Sequence, residues 1–259
     1  MKIGIAGWSF VRRFKSGALK MVDYPDLAKK EFGVDGIELN SPFFDSMETS
    51  YLNDLRARAD NCGVKLLHIS IDGHGNLAAL DESERKESVE RHMPWFDACR
   101  ILGCESFRAN SGGHPDGTTE NVLRAAVKSF SELSEEGAKA GIKVLIENHG
   151  GVSAEADNVV AIMKAVDSEW VGTCPDFGNF RPWLRYQGLR KIYPYAHIVH
   201  AKVREFDEAT GEAADIDVGH CIELARDAVF DGYMAVEFEG KADDFEGVHK
   251  SIDLLKKYL

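Results

Sequence analysis

The sequence contains no segment that would place the chain in a membrane or direct it to secretion. No apolar run approaches the roughly 18 residues that a membrane-spanning helix needs. The opening residues, MKIGIAGW, are too few and too quickly polar for a signal peptide, and we interpret them as the first strand. Linkers rich in proline or serine and low-complexity tracts are missing as well, so we expect one domain over residues 1–259.

Cysteine is scarce and follows no disulfide or metal-binding spacing. The chain has five cysteines, an odd number, and they form no zinc-ribbon pattern. Scattered cysteines of this kind are typical of reduced thiols in the core of a cytosolic protein, so we expect a cytoplasmic location. They are Cys62, Cys99, Cys104, Cys174 and Cys221.

Positive charge is also in deficit, because 31 Lys and Arg face 43 Asp and Glu, a formal net charge of −12. Nucleic acids and anionic membranes bind to basic surfaces, so this balance disfavours both as partners. A small anionic substrate in a local cationic or glycine-rich pocket is still compatible with it. The pairs Gly112-Gly113 and Gly150-Gly151 could present N–H groups to a phosphate, but two pairs without a longer signature favour tight turns. A phosphorylated substrate is therefore unsupported.

Short apolar runs alternate with longer amphipathic stretches along the whole chain. They predict strands at residues 2–8, 36–39, 65–71, 106–109, 143–147, 171–174, 197–203 and 233–238. Helical patterns follow at residues 24–32, 48–60, 81–102, 118–140, 154–166, 188–195, 218–230 and 243–258. Eight such units in one short chain predict a (β/α)8 TIM barrel of parallel strands. An open dinucleotide-binding sheet would need a glycine-rich fingerprint after the first strand, where the chain has GWSF.

Ionisable residues stand at the ends of four consecutive predicted strands. The fifth strand is the clearest case, since the buried run KVLI leads directly into Glu147. Strand ends of a parallel barrel converge on one rim, where three crowded carboxylates repel each other and favour a divalent cation. Three oxygen ligands and one nitrogen suit Mn²⁺ or Mg²⁺, and Co²⁺ or Zn²⁺ is possible. The candidate metal ligands are Glu147, Asp176, His200 and Glu237.

Each of these four residues also has a simpler interpretation. A single charged residue at a strand end is more often a solvated rim group, and a histidine such as His200 could be a satisfied core residue. Because four such residues stand at the ends of four consecutive strands, the metal site is the better hypothesis. Glu239 is a rival for Glu237, because it lies two residues further along on the same face of the strand.

Four segments resemble the xylose isomerase-like TIM-barrel superfamily, the sugar phosphate isomerase/epimerase group. They are IENHGG, TCPDFGNF, HAKV with its first residue as a ligand, and GYMAVEFEG, and the resemblance spans nearly the whole chain. In that family the four strand-end residues bind one divalent metal, which implies this role for the four candidate ligands here. In the ketose 3-epimerases of the family the two metal-bound glutamates are also acid and base, which implies that Glu147 and Glu237 transfer protons. The family also makes a homo-oligomer possible, although no interface patch is visible in the sequence.

The resemblance implies a sugar or polyol isomerase or epimerase that moves a proton next to a carbonyl through an enediolate. The same metal site permits a lyase, such as a dehydratase of an inosose or keto-sugar. A saccharide-binding subunit without catalysis and a nuclease similar to the AP endonucleases are further alternatives. The nuclease branch, endonuclease IV, uses three zinc ions and more histidines. Its histidine three residues after the strand-six aspartate, common also in the ketose epimerases, is Asn179 here, which argues against both assignments.

Several other residues are candidate substrate contacts, each with a structural interpretation that is comparably good. Lys202 shares the strand face of His200 and could contact substrate or bridge to Glu147. Glu38, at the end of the second strand, could pair with Arg108. Trp8 with Phe43 or Phe44 could form an apolar wall, and Trp183 could cover the pocket. The candidate contacts are Trp8, His68, Arg108, His149, Asn179 and Lys202.

Overall fold

The computed structural model describes all residues from 1 to 259, and its centre is a sheet of eight parallel strands. Strands β1 to β6 pair in chain order, and β1 also pairs with β8, which pairs with β7. Two isolated bridges, Thr173–Ala196 and Asp176–His200, join the β6 and β7 edges, so the barrel is nearly closed. The predicted (β/α)8 fold is confirmed. The strands are β1 (Lys2–Ala6), β2 (Gly36–Asn40), β3 (Lys65–Ile71), β4 (Ser106–Ala109), β5 (Lys143–Glu147), β6 (Val171–Cys174), β7 (Ile198–Val203) and β8 (Tyr233–Phe238).

Nine helices surround the barrel, and one of them was not predicted from the sequence. None of the nine is both long and apolar enough to cross a membrane. The α4 helix continues through Pro94. The helices are α1 (Val11–Ser16), α2 (Tyr24–Phe32), α3 (Thr49–Cys62), α4 (Glu82–Leu102), α5 (Glu120–Ala140), α6 (Ala156–Val166), α7 (Arg185–Ile192), α8 (Val218–Asp227) and α9 (Asp244–Tyr258).

The first strand is shorter than predicted, because Gly7–Phe10 forms a 3₁₀ turn that leads into the unpredicted α1. Ser9 explains the change of direction. Its buried hydroxyl donates to the Val236 carbonyl at 3.1 Å and accepts the Phe238 N–H at 2.9 Å. These bonds attach the turn to β8, and β1 therefore ends at Ala6.

The lower part of the barrel interior is apolar. Leu67, Leu145 and Ile198 come from β3, β5 and β7 and pack together as one buried group with Cys174. Layers built from alternate strands are the usual packing of this fold. A neighbouring glycine keeps space for the layer, since a Cβ at Gly4 would lie 3.1 Å from Leu67 Cδ1. The polar residues of the barrel therefore lie above an apolar floor, toward the carboxyl ends of the strands.

All five cysteines are free, and four of them are buried. Core thiols were expected at these positions, and only Cys62 is partly accessible.

His92 in α4 is a buried histidine outside the barrel, 2% exposed. Its Nδ1 donates to the Ser88 carbonyl at 2.7 Å, and its ring stacks on Phe107 with centroids 6.3 Å apart. Burial lowers the pKa of His92 to about 4, and the nearby His74 and Arg108 act in the same direction. The folded chain therefore holds this imidazole neutral.

We expect His92 to make the fold less stable in mild acid. The unfolded chain binds a proton below about pH 6.5, whereas the folded chain does so only near pH 4. The contribution of neutral His92 to the free energy of unfolding is thus fully present above pH 6.5 and is lost as the pH falls toward 4. Between pH 7 and pH 5 the loss should be about 2 kcal/mol, measured by urea unfolding. In His92→Asn the pH 7 to pH 5 difference should shrink by that amount; an unchanged difference would contradict the assignment.

Candidate metal centre and active site

Four strand ends bring the predicted metal ligands into one buried cluster. Glu147 is the last residue of β5, Asp176 lies just after β6, and His200 and Glu237 lie within β7 and β8. One ligand atom from each lies within 4.8 Å of the others, and all four residues are buried. The sequence placed these residues at strand ends, and the barrel places the strand ends side by side.

His200 is the centre of this cluster. Its Nδ1 lies 3.1 Å from Glu147 Oε1, 3.2 Å from Glu237 Oε2 and 3.9 Å from Asp176 Oδ2. On the other side of the ring, Nε2 lies 2.8 Å from Glu38 Oε2. A carboxylate that accepts the second ring N–H is the usual way to orient a metal-binding imidazole. Glu38 thus pairs with His200, and the expected pair of Glu38 with Arg108 is wrong.

The polar atoms of the cluster fit a divalent cation. Glu147 Oε2, Asp176 Oδ2 and Glu237 Oε2 are buried and accept no hydrogen bond of regular geometry, although each lies 3.0–3.2 Å from a nitrogen of Arg108, Lys202 or His200. Leaving a buried acceptor unsatisfied costs about 1–3 kcal/mol, and more for a charged one. An ion bound to these oxygens and to an imidazole nitrogen would satisfy them and reduce their repulsion. The buried Glu/Asp/His/Glu cluster therefore fits a metal site.

Two buried cations flank the cluster on opposite sides. Arg108 Nε lies 3.0 Å from Glu147 Oε2, and its NH1 donates to Asp72 Oδ1 at 2.7 Å. Because these acceptors lie on its own side of the barrel, Arg108 does not reach Glu38. Each guanidinium contact stabilises a negative charge in or beside the four-residue cluster.

Lys202 is the second cation, and it contacts the other end of the cluster. Its Nζ lies 3.2 Å from Asp176 Oδ2 and 3.4 Å from Glu237 Oε1, and it donates to Asn179 Oδ1 at 3.0 Å. A bridge from Lys202 to Glu147, one of the two roles suggested for Lys202, is absent, and Asn179 Nδ2 instead donates to Glu147 Oε1 at 3.1 Å. The rival carboxylate, Glu239, lies 3.4 Å from Lys202 Nζ and outside the four-residue cluster.

Both candidate proton-transfer residues are ionised in this environment. Burial alone would raise the pKa of Glu147, but Arg108 and His200 outweigh it and hold that pKa well below its usual range. Burial acts in the same way on Glu237, where Lys202 and His200 lower the pKa to about 2. Each glutamate therefore has its own cationic partner.

A cavity of about 190 Å³ lies over the cluster. Three of the candidate substrate contacts, Trp8, Arg108 and His149, line it. Trp8 stacks on Phe43 with ring centroids 5.6 Å apart, and of these two rings only Trp8 lines the cavity. Asn179 and Lys202 contact the ligand carboxylates from beside the cavity.

His68 does not line this cavity, contrary to the expectation from the sequence. It is completely buried, and its Nδ1 lies 2.8 Å from Ser106 Oγ on the neighbouring strand β4. Trp183 is 75% exposed and does not cover the cavity. The cavity has additional polar residues at the ends of β2 and β3 that the sequence analysis missed, although both strands visibly end in polar residues. They are Asn40, Ser70 and Asp72.

The two glycine pairs pack against each other beside the site. Gly112 and Gly151 have φ angles of 70° and 55°, which favour glycine, and the Val152 N–H donates to the Gly112 carbonyl at 2.8 Å. The Gly113 N–H donates to Asn76 Oδ1 at 3.0 Å. The pairs thus form tight turns, in which these N–H groups bind protein acceptors.

These features define a class: a (β/α)8 barrel whose strand ends carry a buried set of metal-ligand side chains. Among the known families, the model of the xylose isomerase-like TIM barrel matches residues 26–258, and the chain belongs to this family. No curated protein sequence matches the chain significantly.

Solved structures similar to this chain share its fold at low sequence identity. D-psicose 3-epimerase from Clostridium cellulolyticum H10, with D-tagatose, has a TM-score of 0.81 and 17% identity, covering 100% of this chain and 99% of that one. The IOLI protein with a bound zinc atom has a TM-score of 0.79 and 17% identity, with coverages of 100% and 99%. A xylose isomerase-like TIM barrel protein from Mycobacterium smegmatis, in complex with magnesium, has a TM-score of 0.73 and 17% identity, with coverages of 98% and 95%.

Proposed function

We propose that the chain is a divalent-metal-dependent isomerase or epimerase of a sugar or polyol. The observation that carries the proposal is the buried cluster, which has a glutamate at each end, Glu147 on β5 and Glu237 on β8. Each glutamate is ionised beside its own cation. The sugar epimerases among the similar structures agree with this chemistry.

In the proposed reaction the cluster holds one divalent ion, with Glu147, Asp176, His200 and Glu237 as ligands. When bound, the ion supplies stabilisation of the negative charge that develops on a substrate carbonyl oxygen. Oxygen-rich ligands favour Mn²⁺ or Mg²⁺, whereas the zinc and magnesium of the similar structures show that this fold accommodates more than one metal.

The two glutamates do the proton transfer in this proposal. One removes the proton from the carbon next to the carbonyl and forms an enediolate. Inversion of that carbon requires the other glutamate to take up a proton from water beforehand and to deliver it to the opposite face, while the first glutamate keeps the proton that it removed. Return of the removed proton to the adjacent carbon, with a proton passing between the two neighbouring oxygens, converts a ketose to an aldose. Arg108 and Asn179 hold Glu147 in place, and Lys202 contacts Asp176 and Glu237 at the other end of the cluster.

A dehydratase of a keto-sugar or inosose is the second candidate on the same site. It would need a proton donor at the departing hydroxyl group. The nearest ammonium, that of Lys202, is held by Asn179, Asp176 and Glu237 and does not line the cavity.

The function is tested by metal analysis followed by incubation of the metal-loaded protein with a panel of ketoses, aldoses and inososes in deuterated water. We expect one metal ion per chain and substrates that gain one deuterium with no change in composition. Products lighter by one water would identify a dehydratase. Saccharide binding without exchange or turnover would indicate a binding protein, and three metal ions per chain would support a nuclease-like site.

We expect Glu38 to control metal affinity through His200. In Glu38→Gln the ring loses its anionic partner, so the affinity for Mn²⁺ should fall by about 10–100-fold. Equilibrium titration of the metal-free protein with Mn²⁺ measures this change. The matched control is Glu31→Gln, since Glu31 pairs with an exposed histidine, His249, at 3.0 Å. An unchanged affinity in Glu38→Gln would show that the pair does not support the site.

A further inference from the structure

The ammonium group of Lys202 is surrounded by four oxygen acceptors. Its Nζ lies 3.0 Å from Asn179 Oδ1 and 3.2 Å from Asp176 Oδ2. It also lies 3.4 Å from both Glu237 Oε1 and Glu239 Oε2. Three carboxylates and an amide oxygen form an oxygen-only set, which is the kind of ligand set that Mg²⁺ and Mn²⁺ prefer. The position is therefore built for a cation, and a side chain of the protein supplies one.

Two of these carboxylates belong to the four-residue cluster and divide their oxygen atoms between the two positions. Glu237 Oε2 lies 3.2 Å from His200 Nδ1, whereas its Oε1 lies on the side of Lys202. Asp176 Oδ1 accepts the Gly178 N–H at 2.7 Å, which leaves Oδ2 for both the cluster and Lys202. In two-metal sites the ions are about 3.5–4 Å apart, and a carboxylate that reaches both positions is suited to bridge them. The Lys202 ammonium thus lies where the second ion of such a site would lie.

The backbone beside β7 leaves room for the stem of Lys202. A Cβ on Gly178 would lie 3.1 Å from Lys202 Cδ and 3.2 Å from its Cγ. Lys202 is 2% exposed and lies two residues after His200, on the same face of β7. The packed stem holds the ammonium at its four acceptors. Because this cation is covalently attached, it cannot diffuse away, and a chelator cannot remove it.

The acids around the ammonium explain why a cation is needed there. Glu239 has one further cationic neighbour, the partly exposed Arg204, at 3.6 Å. Without the charge of Lys202, the carboxylates of Asp176, Glu237 and Glu239 would repel one another in a poorly solvated space, and a divalent ion would neutralise them. With the ammonium present, a second divalent ion would have to displace it or be repelled by it.

We propose that Lys202 is a built-in second cation: its ammonium occupies the position of a second divalent ion and keeps the metal centre mononuclear. This inference rests on the proposed function, in that the four-residue cluster binds one divalent ion. Lys202 does not line the cavity, so it is a positioning residue that neutralises Asp176 and Glu237 without contacting substrate. Removal of its charge should produce a centre that binds two ions of the Mn²⁺ or Mg²⁺ type.

The test counts the metal ions bound to the wild-type chain and to Lys202→Ala, each stripped by a chelator and then equilibrated with Mn²⁺. We expect one Mn²⁺ per wild-type chain even in a large excess of the ion, and two per chain in Lys202→Ala. Electron paramagnetic resonance gives an independent readout, because two Mn²⁺ ions about 3.5–4 Å apart are magnetically coupled and a single ion is not. If Lys202→Ala folds poorly, Lys202→Met keeps the stem and provides the same comparison.

Two further variants show whether the second ion binds at the position of the ammonium. Lys202→Ala combined with Glu239→Gln lacks one of the acceptor carboxylates, so its affinity for the second ion should be about tenfold lower than that of Lys202→Ala. Lys250→Ala is the matched control, because it removes an exposed ammonium that lies 2.6 Å from Glu246 Oε1, and it should bind one ion. A second ion bound equally well by the double variant would overturn the assignment of the position.

The outcomes separate this inference from the function on which it rests. One ion or none in Lys202→Ala, or two ions in the wild type, would overturn the role of Lys202 and leave the isomerase or epimerase function in place. If the wild-type chain binds no divalent ion, the proposed function is wrong and the inference is wrong with it.

Discussion

Glu147→Gln and Glu237→Gln should each slow, by about 10²–10⁴-fold, the substrate C–H exchange in deuterated water that depends on the substituted glutamate, because this is the contribution of a positioned acid or base. Glutamine keeps the shape of the side chain and an oxygen that can face the metal, but it cannot accept a substrate proton. Bound metal, measured in the same samples, shows whether exchange is lost through chemistry or through loss of the ion.

The two variants also distinguish the two reactions. In an epimerase each glutamate removes the proton of one epimer, so each variant should still exchange the epimer that the intact glutamate serves. In an isomerase with a single base, one variant should lose exchange and the other should lose much less. Full exchange in both variants would contradict the proton-transfer roles.

Glu239→Gln is the matched control, since Glu239 follows Glu237 by two residues and lies 3.4 Å from the same Lys202. We expect it to keep both metal and exchange. If Glu239→Gln were as damaging as Glu237→Gln, then Glu239 would be the carboxylate that acts in the reaction.

Removal of the divalent ion should abolish exchange and also lower the melting temperature. The folded chain gathers three acids around His200, whereas the unfolded chain separates them, so the ion binds the fold preferentially. At a hundredfold excess over Kd this linkage contributes about 2.7 kcal/mol, which in a chain of this size is roughly 5–10 °C. Differential scanning fluorimetry after chelation, and after refilling with Mn²⁺ or Mg²⁺, measures the shift.

Asp176→Asn tests whether this stabilisation comes from the cluster. Asp176 is completely buried, its Oδ1 accepts the Gly178 N–H and its Oδ2 lies 3.2 Å from Lys202 Nζ, and the substitution removes one ligand charge with little change in shape. The metal-dependent shift should largely disappear, and exposed Asp253→Asn should retain it. A full shift in Asp176→Asn would place the ion elsewhere.

The barrel was predictable because each strand of this chain is buried on both faces and therefore reads as a short apolar run. The run from Val144 to Ile146 is an example, and its strand has the predicted bounds. The turn at Gly7–Phe10 was not predictable, because Ser9 bonds to residues more than 220 positions away and no local pattern reports this.

The candidate ligands could be proposed from strand ends alone, since topology places those ends together. The charged groups that pair with these ligands could not be predicted in the same way. Glu38 was assigned to Arg108, yet it lies 2.8 Å from His200 Nε2, 162 residues away in sequence. Such choices between neighbouring charged groups depend on side-chain distances within the barrel, which the sequence does not contain. For the same reason the four acceptors around the Lys202 ammonium became visible only in the folded structure.

The bonds of Ser9 to β8 have a consequence for biosynthesis. The first strand cannot complete its pairing until residues 233–238 have been synthesised, because β1 pairs with both β2 and β8. A nascent chain that ends before β8 contains Glu147, Asp176 and His200 but lacks Glu237. It also lacks Val236 and Phe238, to which the Ser9 hydroxyl bonds. The closing of the barrel and the completion of the metal site are thus one late event, and a ribosome-bound fragment should acquire neither.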